Sequence, residues 1–166
     1  MVAILMMIDT KNIPFDIEPV TKSKAWQDAA PEIRQKFVAN ATTFATMINY
    51  YADKYRAKKT LKGEFFACVL WDFYWDMLET PCESENLDEN LALWYEDPEE
   101  KKTALEIYSE ELLDQAIHAK RWIKILKAAY KDDKERIKQK VTDNQTGKVN
   151  LNRVNDFSED YRDIFY

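Results

Sequence analysis

DPEEKKTALEIYSEELLDQAIHAKRWIKILKAAYKDDKERIKQKV, residues 97–141, contains no glycine and only one proline, Pro98. Asp97 can cap a helix, and Pro98 suits the first helical position, where its missing N–H would be unsatisfied anyway. Glu100 can complete a capping box. The run therefore predicts one long C-terminal helix of about 65 Å at 1.5 Å per residue. Leu105, Tyr108, Leu112, Ala119, Trp122, Leu126 and Ala129 keep near-heptad spacing, so most of its length must pack on something. Its charges are segregated. Glu99, Glu100, Glu106, Glu110, Glu111 and Asp114 load the first half, and Lys120, Lys124, Lys127, Lys131, Lys134 and Lys138 follow at steps of four and three. That order complements the helix dipole. The lysines are either a solvated face or a basic strip that receives an acidic partner, with the chain's own tail as one candidate.

Working back along the chain, Ile33, Phe37, Ala41, Phe44, Ile48, Tyr51 and Tyr55 predict a second amphipathic helix starting near Pro31. EFFACVLWDFYWDMLE, 64–79, is apolar on nearly every flank. Glu64, Asp72, Asp76 and Glu79 form a narrow acidic strip, with Trp71 and Trp75 beside it. Such a helix is either sandwiched between neighbours or covered on one flank by another protein. Glycine occurs twice in 166 residues, against an ordinary frequency of about 7%. Few tight turns are possible, so few connections and long helices are expected. The predicted fold is all-α: a small helical bundle built on the long C-terminal helix, with extended arms at both ends. Residues 1–22 read as the N-terminal arm or a short strand, 23–142 as the helical domain, and 143–166 as a linker and tail. VAILMMI, 2–8, is too short to span a membrane, and no membrane partner is expected.

Composition excludes several chemistries. A net charge of −6 argues against general nucleic-acid binding, because a phosphate backbone rewards clustered cations. Two isolated glycines allow neither a P-loop nor a dinucleotide fold's GxGxxG. With His118 alone, and glutamine at 115, the paired Glu-x-x-His of a di-iron bundle cannot be assembled. No serine sits in a nucleophile elbow, and Cys68 and Cys82 have no zinc-site spacing. No cofactor is expected. The two cysteines suggest a reducing setting, cytoplasmic or within an assembled particle rather than secreted. One enzymatic pattern remains. EELLD, 110–114, resembles the Glu-Glu-Leu-x-Asp segment of the all-α nucleoside triphosphate pyrophosphohydrolases. The resemblance implies magnesium held by Glu111 and Asp114, one helical turn apart. The second Glu-x-x-Glu pair of that family is absent in that form; Asp76 with Glu79, or Glu96 with Glu99, would have to replace it.

The chain ends NDFSEDYRDIFY, 155–166. Asp163-Ile164-Phe165 resembles the Asp-Leu-Phe core of peptides that dock on bacterial and phage replication clamps, with Tyr161 and Arg162 where glutamine and leucine usually stand. Large rings with few rotamers, interleaved with acids, are the composition of a docking peptide. The expected role is a non-catalytic adaptor or assembly subunit, virion-type in one version. It would bind a protein partner or another copy through Trp71, Trp75, Phe157, Tyr161, Ile164, Phe165 and Tyr166. A small acidic inhibitor or modulator of a host enzyme is an alternative. Whether the tail docks in cis or in trans is left open by the sequence.

Overall fold

Buried aromatic residues organise two groups of helices. The computed structural model describes residues 14–83 and 86–166, and the protein is all-α. The helices are α1 (Glu18–Thr21), α2 (Lys24–Asp28), α3 (Pro31–Arg56), α4 (Leu61–Tyr74), α5 (Thr80–Glu83), α6 (Leu87–Tyr95), α7 (Ala104–Ile117) and α8 (Lys120–Val141). A π-helical turn, Trp75–Glu79, follows α4, and two 3-10 segments, Leu151–Asp156 and Ser158–Phe165, end the chain. Residues 1–13, which include most of the predicted N-terminal arm, lie outside the described residues. Two compact units arise, Met1–Thr46 with Asp76–Ile117, and Met47–Trp75 with His118–Tyr166.

In the first unit Phe37 is the hub. Phe15 and Trp26 meet it edge-on, and Tyr108 lies against it at 5.9 Å. The Tyr108 hydroxyl donates to the Met77 carbonyl, and Asn40 donates to the Ser109 carbonyl, so the buried polar groups are satisfied. The short helix α2 persists because both its ends are held. Asp88 accepts from the backbone N–H groups of Lys24 and Ala25, and Arg34 donates to the carbonyls of Trp26 and Gln27.

In the second unit α4 packs on α8 through Phe65 against Tyr130 and Phe73 against Trp122. Tyr55 from the end of α3 covers Phe66 at 4.9 Å. After α8, a tight turn around Gly147 at φ +69° reverses the chain. The Asp143 carboxylate accepts from the N–H groups of Gln145 and Thr146, which hold its carboxyl below the usual value.

Three expectations need correction. The helix predicted over 97–141 is two helices. Asp97 spends its carboxylate on the Glu99 N–H within a turn, and Thr103 instead caps α7 by accepting from Glu106. Thr103 and Glu106 form their own S/T-x-x-E signature. At 118–122 the bonding tightens to i→i+3, Arg121 to His118 and Trp122 to Ala119, which separates α7 from α8 where the chain passes between units. The C-terminal arm is not extended but 3-10 helical, because its rings pack on α4. Before α2, Pro19 stands in the first turn of α1, where proline is tolerated, so 18–21 are helical rather than extended.

The α3–α4 junction yields a test. Thr60 caps α4 by accepting from Gly63 N–H, and a Cβ at Gly63 would fall inside contact distance of the Tyr55 carbonyl oxygen. Glycine to alanine within a helix ordinarily stabilises by about 1 kcal/mol. Here the sign reverses. Gly63→Ala should lower the thermal midpoint, as read by circular dichroism, because the clash is with backbone that cannot rotate away.

Candidate interaction surface

The last turn of α4 and the first residue of the π-helical turn carry four aromatic residues of contrasting fate. Phe73 is fully buried and Tyr74 nearly so, Trp71 is half-buried, and Trp75 is 46% exposed. Trp71 meets Tyr74 edge-on at 5.4 Å, and Tyr74 in turn meets Trp75 at 6.3 Å. Phe73 points the other way and stacks on Phe165 at 4.4 Å, with Tyr166 at 6.0 Å. The tail thus closes over one side of the helix and leaves the two tryptophans on another.

Further contacts hold the tail along its length. Ser158 donates to Asp72, and the Tyr161 hydroxyl donates to Asp133 at 2.9 Å. The Tyr161 ring meets Phe65 at 4.9 Å, and Lys140 sits 4.9 Å over the Phe157 ring and 3.8 Å from Asp160. Phe157 and Tyr161 are buried, Ile164 and Phe165 half-buried, and Tyr166 is 69% exposed. Burial, reinforced by the Asp133 carboxylate, pushes the Tyr161 hydroxyl up to about 12. The seat is not the lysine strip. Lys120, Lys124, Lys127 and Lys131 are exposed on α8, while the tail's rings need the apolar groove beside Phe65 and Phe73. Nothing in the sequence pairs Ser158 with Asp72 or Tyr161 with Asp133; only the packing of α4 and α8 brings them together.

Much of the acidic strip is engaged within the chain. Glu64 accepts from Arg56 and from the Cys68 thiol, Asp72 accepts from Ser158, and Glu79 is buried. Burial, and then the Glu64 charge, push the Cys68 thiol up to about 12, so it is a poor nucleophile. On α7, Glu111 is half-buried and accepts from Gln115, and Asp114 is exposed. Among the described residues no group of three or more His, Cys, Asp or Glu side chains is placed to hold a metal ion. Glu111 and Asp114 are therefore not joined by either candidate second pair. No helix among the described residues is long and apolar enough to cross a membrane.

The first unit offers a cleft of about 530 Å³, with Leu91 and Leu105 among its apolar lining and Asp28, Glu96, Asp97 and Glu100 among its charged lining. Comparison of the chain with protein families, with characterised proteins and with solved structures finds no match.

Two tests separate buried anchors from exposed rings. Tyr161→Ala should cost about 3 kcal/mol in urea unfolding, whereas Tyr166→Ala should cost less than about 0.5 kcal/mol. The second test uses alkali. A hydroxyl held at about 12 in the folded chain, above the ordinary value of about 10, contributes fully below pH ~10 and is lost as pH rises through that window. Tyr161→Phe should flatten the alkaline fall in stability between about pH 10 and 12, leaving the share from Cys68 and Tyr95, which are raised in the same direction.

Proposed function

We propose that the protein is a non-catalytic interaction protein, an adaptor or assembly subunit, that holds a protein partner against the aromatic surface at the end of α4. The supporting observation is the outward placement of Trp75 on a helix whose other rings are packed, with Trp71 half-buried beside it. Tryptophan and tyrosine supply large contact area with few rotamers, and they dominate interface energetics where they are presented on rigid elements. In this reading Phe157 and Tyr161 anchor the tail to its own unit, and Ile164, Phe165 and Tyr166 form its partner-facing end. A virion component and a modulator of another protein's activity are two concrete forms of the same role, since both would use this surface.

The test is recovery of the native complex. Trp75→Gln combined with Tyr166→Gln should leave the far-UV spectrum unchanged and reduce recovery of the copurifying partner, identified by native mass, about tenfold. Unchanged recovery would remove this surface from the reading. Release of pyrophosphate from a nucleoside triphosphate by the purified chain, lost in Glu111→Gln, would replace it with a catalytic one.

A further inference from the structure

Charge is divided between the two units. The first carries 7 Lys and Arg against 19 Asp and Glu, a formal charge of −12, and the second carries 17 against 11, a charge of +6. The positive excess has a regular form on α8. Lys120, Lys124, Lys127, Lys131, Lys134 and Lys138 are all exposed. At 100° per residue they fall within an arc of about 80°, and the line they make is about 27 Å long. None of the six is paired with a carboxylate among the described residues. The acidic tail does not cover them, because it is seated by Asp133 and Lys140 instead.

The negative excess also has a focus. Glu96, Asp97, Glu99 and Glu100 are exposed in the connection between α6 and α7, and Glu96, Asp97 and Glu100 line the first unit's cleft. Just before them, Leu93 and Trp94 are each 73% exposed. Carboxylates next to an open indole face suit an ammonium-rich surface, since the ring adds cation–π attraction to the ion pairs.

We propose that the occupant of the lysine stripe is a second copy of this chain, with α8 of one copy seated on the Leu93, Trp94 and Glu96–Glu100 edge of the next. Charge complementarity selects this occupant: the stripe is unpaired among the described residues, and each copy also carries an acidic edge of opposite sign. The contact joins two different patches, so each copy carries both halves of the interface. A stripe about 27 Å long on a helix about 10 Å across offers a few hundred Å² per partner, well below the roughly 800 Å² of a standard stable complex. The association is therefore transient and strongly salt-dependent, because exposed charges are screened over about 10 Å at 0.1 M salt. It uses none of the residues of the aromatic surface, so either proposal can fail alone.

Sedimentation velocity of the full chain tests it. At about 20 mM salt the mean mass should rise with concentration, and at about 500 mM it should return to the single-chain 19.7 kDa. Lys124→Glu with Lys127→Glu and Lys131→Glu should stay folded, since all three positions are exposed, and sediment as a monomer. Glu96→Lys with Glu99→Lys and Glu100→Lys should do the same. Mixing the two variants should restore association, because each then presents the sign the other lacks. A monomer at every concentration in low salt overturns the proposal, as does association that survives reversal of the stripe. Stripe-dependent retention of a short single-stranded oligonucleotide without self-association overturns it too, and assigns the stripe to a phosphate backbone.

Discussion

Helix α4 has almost no face that it can show to water. Phe65, Phe66, Ala67, Val69, Leu70 and Phe73 are fully buried and Cys68 nearly so, which leaves no continuous solvated side between Phe65 and Phe73. A helix of this kind exists only if it is enclosed. The end of α3 covers one flank with Tyr55, α8 covers another with Tyr130 and Trp122, and the C-terminal segment closes the remainder with Tyr161 and Phe165. Each buried ring contributes roughly 1.5–3 kcal/mol, against about 1–2 kcal/mol of backbone entropy per ordered residue. Rings alone would not hold twelve or so tail residues. The hydrogen bonds to Asp72 and Asp133 supply additional stabilisation and fix the register of the tail on the groove.

The same requirement explains why the acids of α4 are not available for chemistry. A carboxylate on an enclosed helix must find a donor or shift its titration. Glu64 takes Arg56 and Asp72 takes Ser158. In the first unit Lys36 and Lys102 converge on Glu110, which holds that carboxyl low and both ammonium groups high. This cluster is largely open to solvent, so it adds little stability. Trp75, Tyr166 and the lysine stripe are exposed on the second unit, with Trp71 half-buried, and an acidic edge is exposed on the first.

Much of the fold was readable along the chain. The stripe on α3 falls where its spacing placed it, with Phe37, Ala41, Phe44 and Ile48 buried. In the near-heptad series Leu105, Tyr108, Leu112, Ala119, Trp122 and Leu126 are buried, while Ala129 at its end is half-buried. Its continuity, however, disguised the break at 118–122, because no glycine or proline marks it. A buried stripe stays in phase across a short 3-10 turn, so periodicity cannot tell one helix from two. The start of α7 was ambiguous for a related reason. Asp97 and Thr103 each open a valid capping signature, and local propensity does not rank two caps six residues apart.

The candidate site was legible as residue types and illegible as geometry. Scarce glycine and helical spacing by themselves pointed to an all-α chain and to a helix over 64–79 that is either sandwiched or covered by another protein, and the tail's rings were expected to be buried, which holds for Phe157 and Tyr161 but not for Tyr166. They did so because hydrophobic burial and helical period are local properties of a sequence. Tertiary structure alone decided what does the burying. Trp122 and Trp94 are the same side chain on helices of one protein, yet one is 1% and the other 73% exposed. Tyr161 reaches Asp133 and Ser158 reaches Asp72 across 28 and 86 residues of chain. Such pairings depend on how helices stack, and no local pattern encodes a partner that distant, so the choice between an anchored ring and an exposed one is made only when the helices of each unit pack.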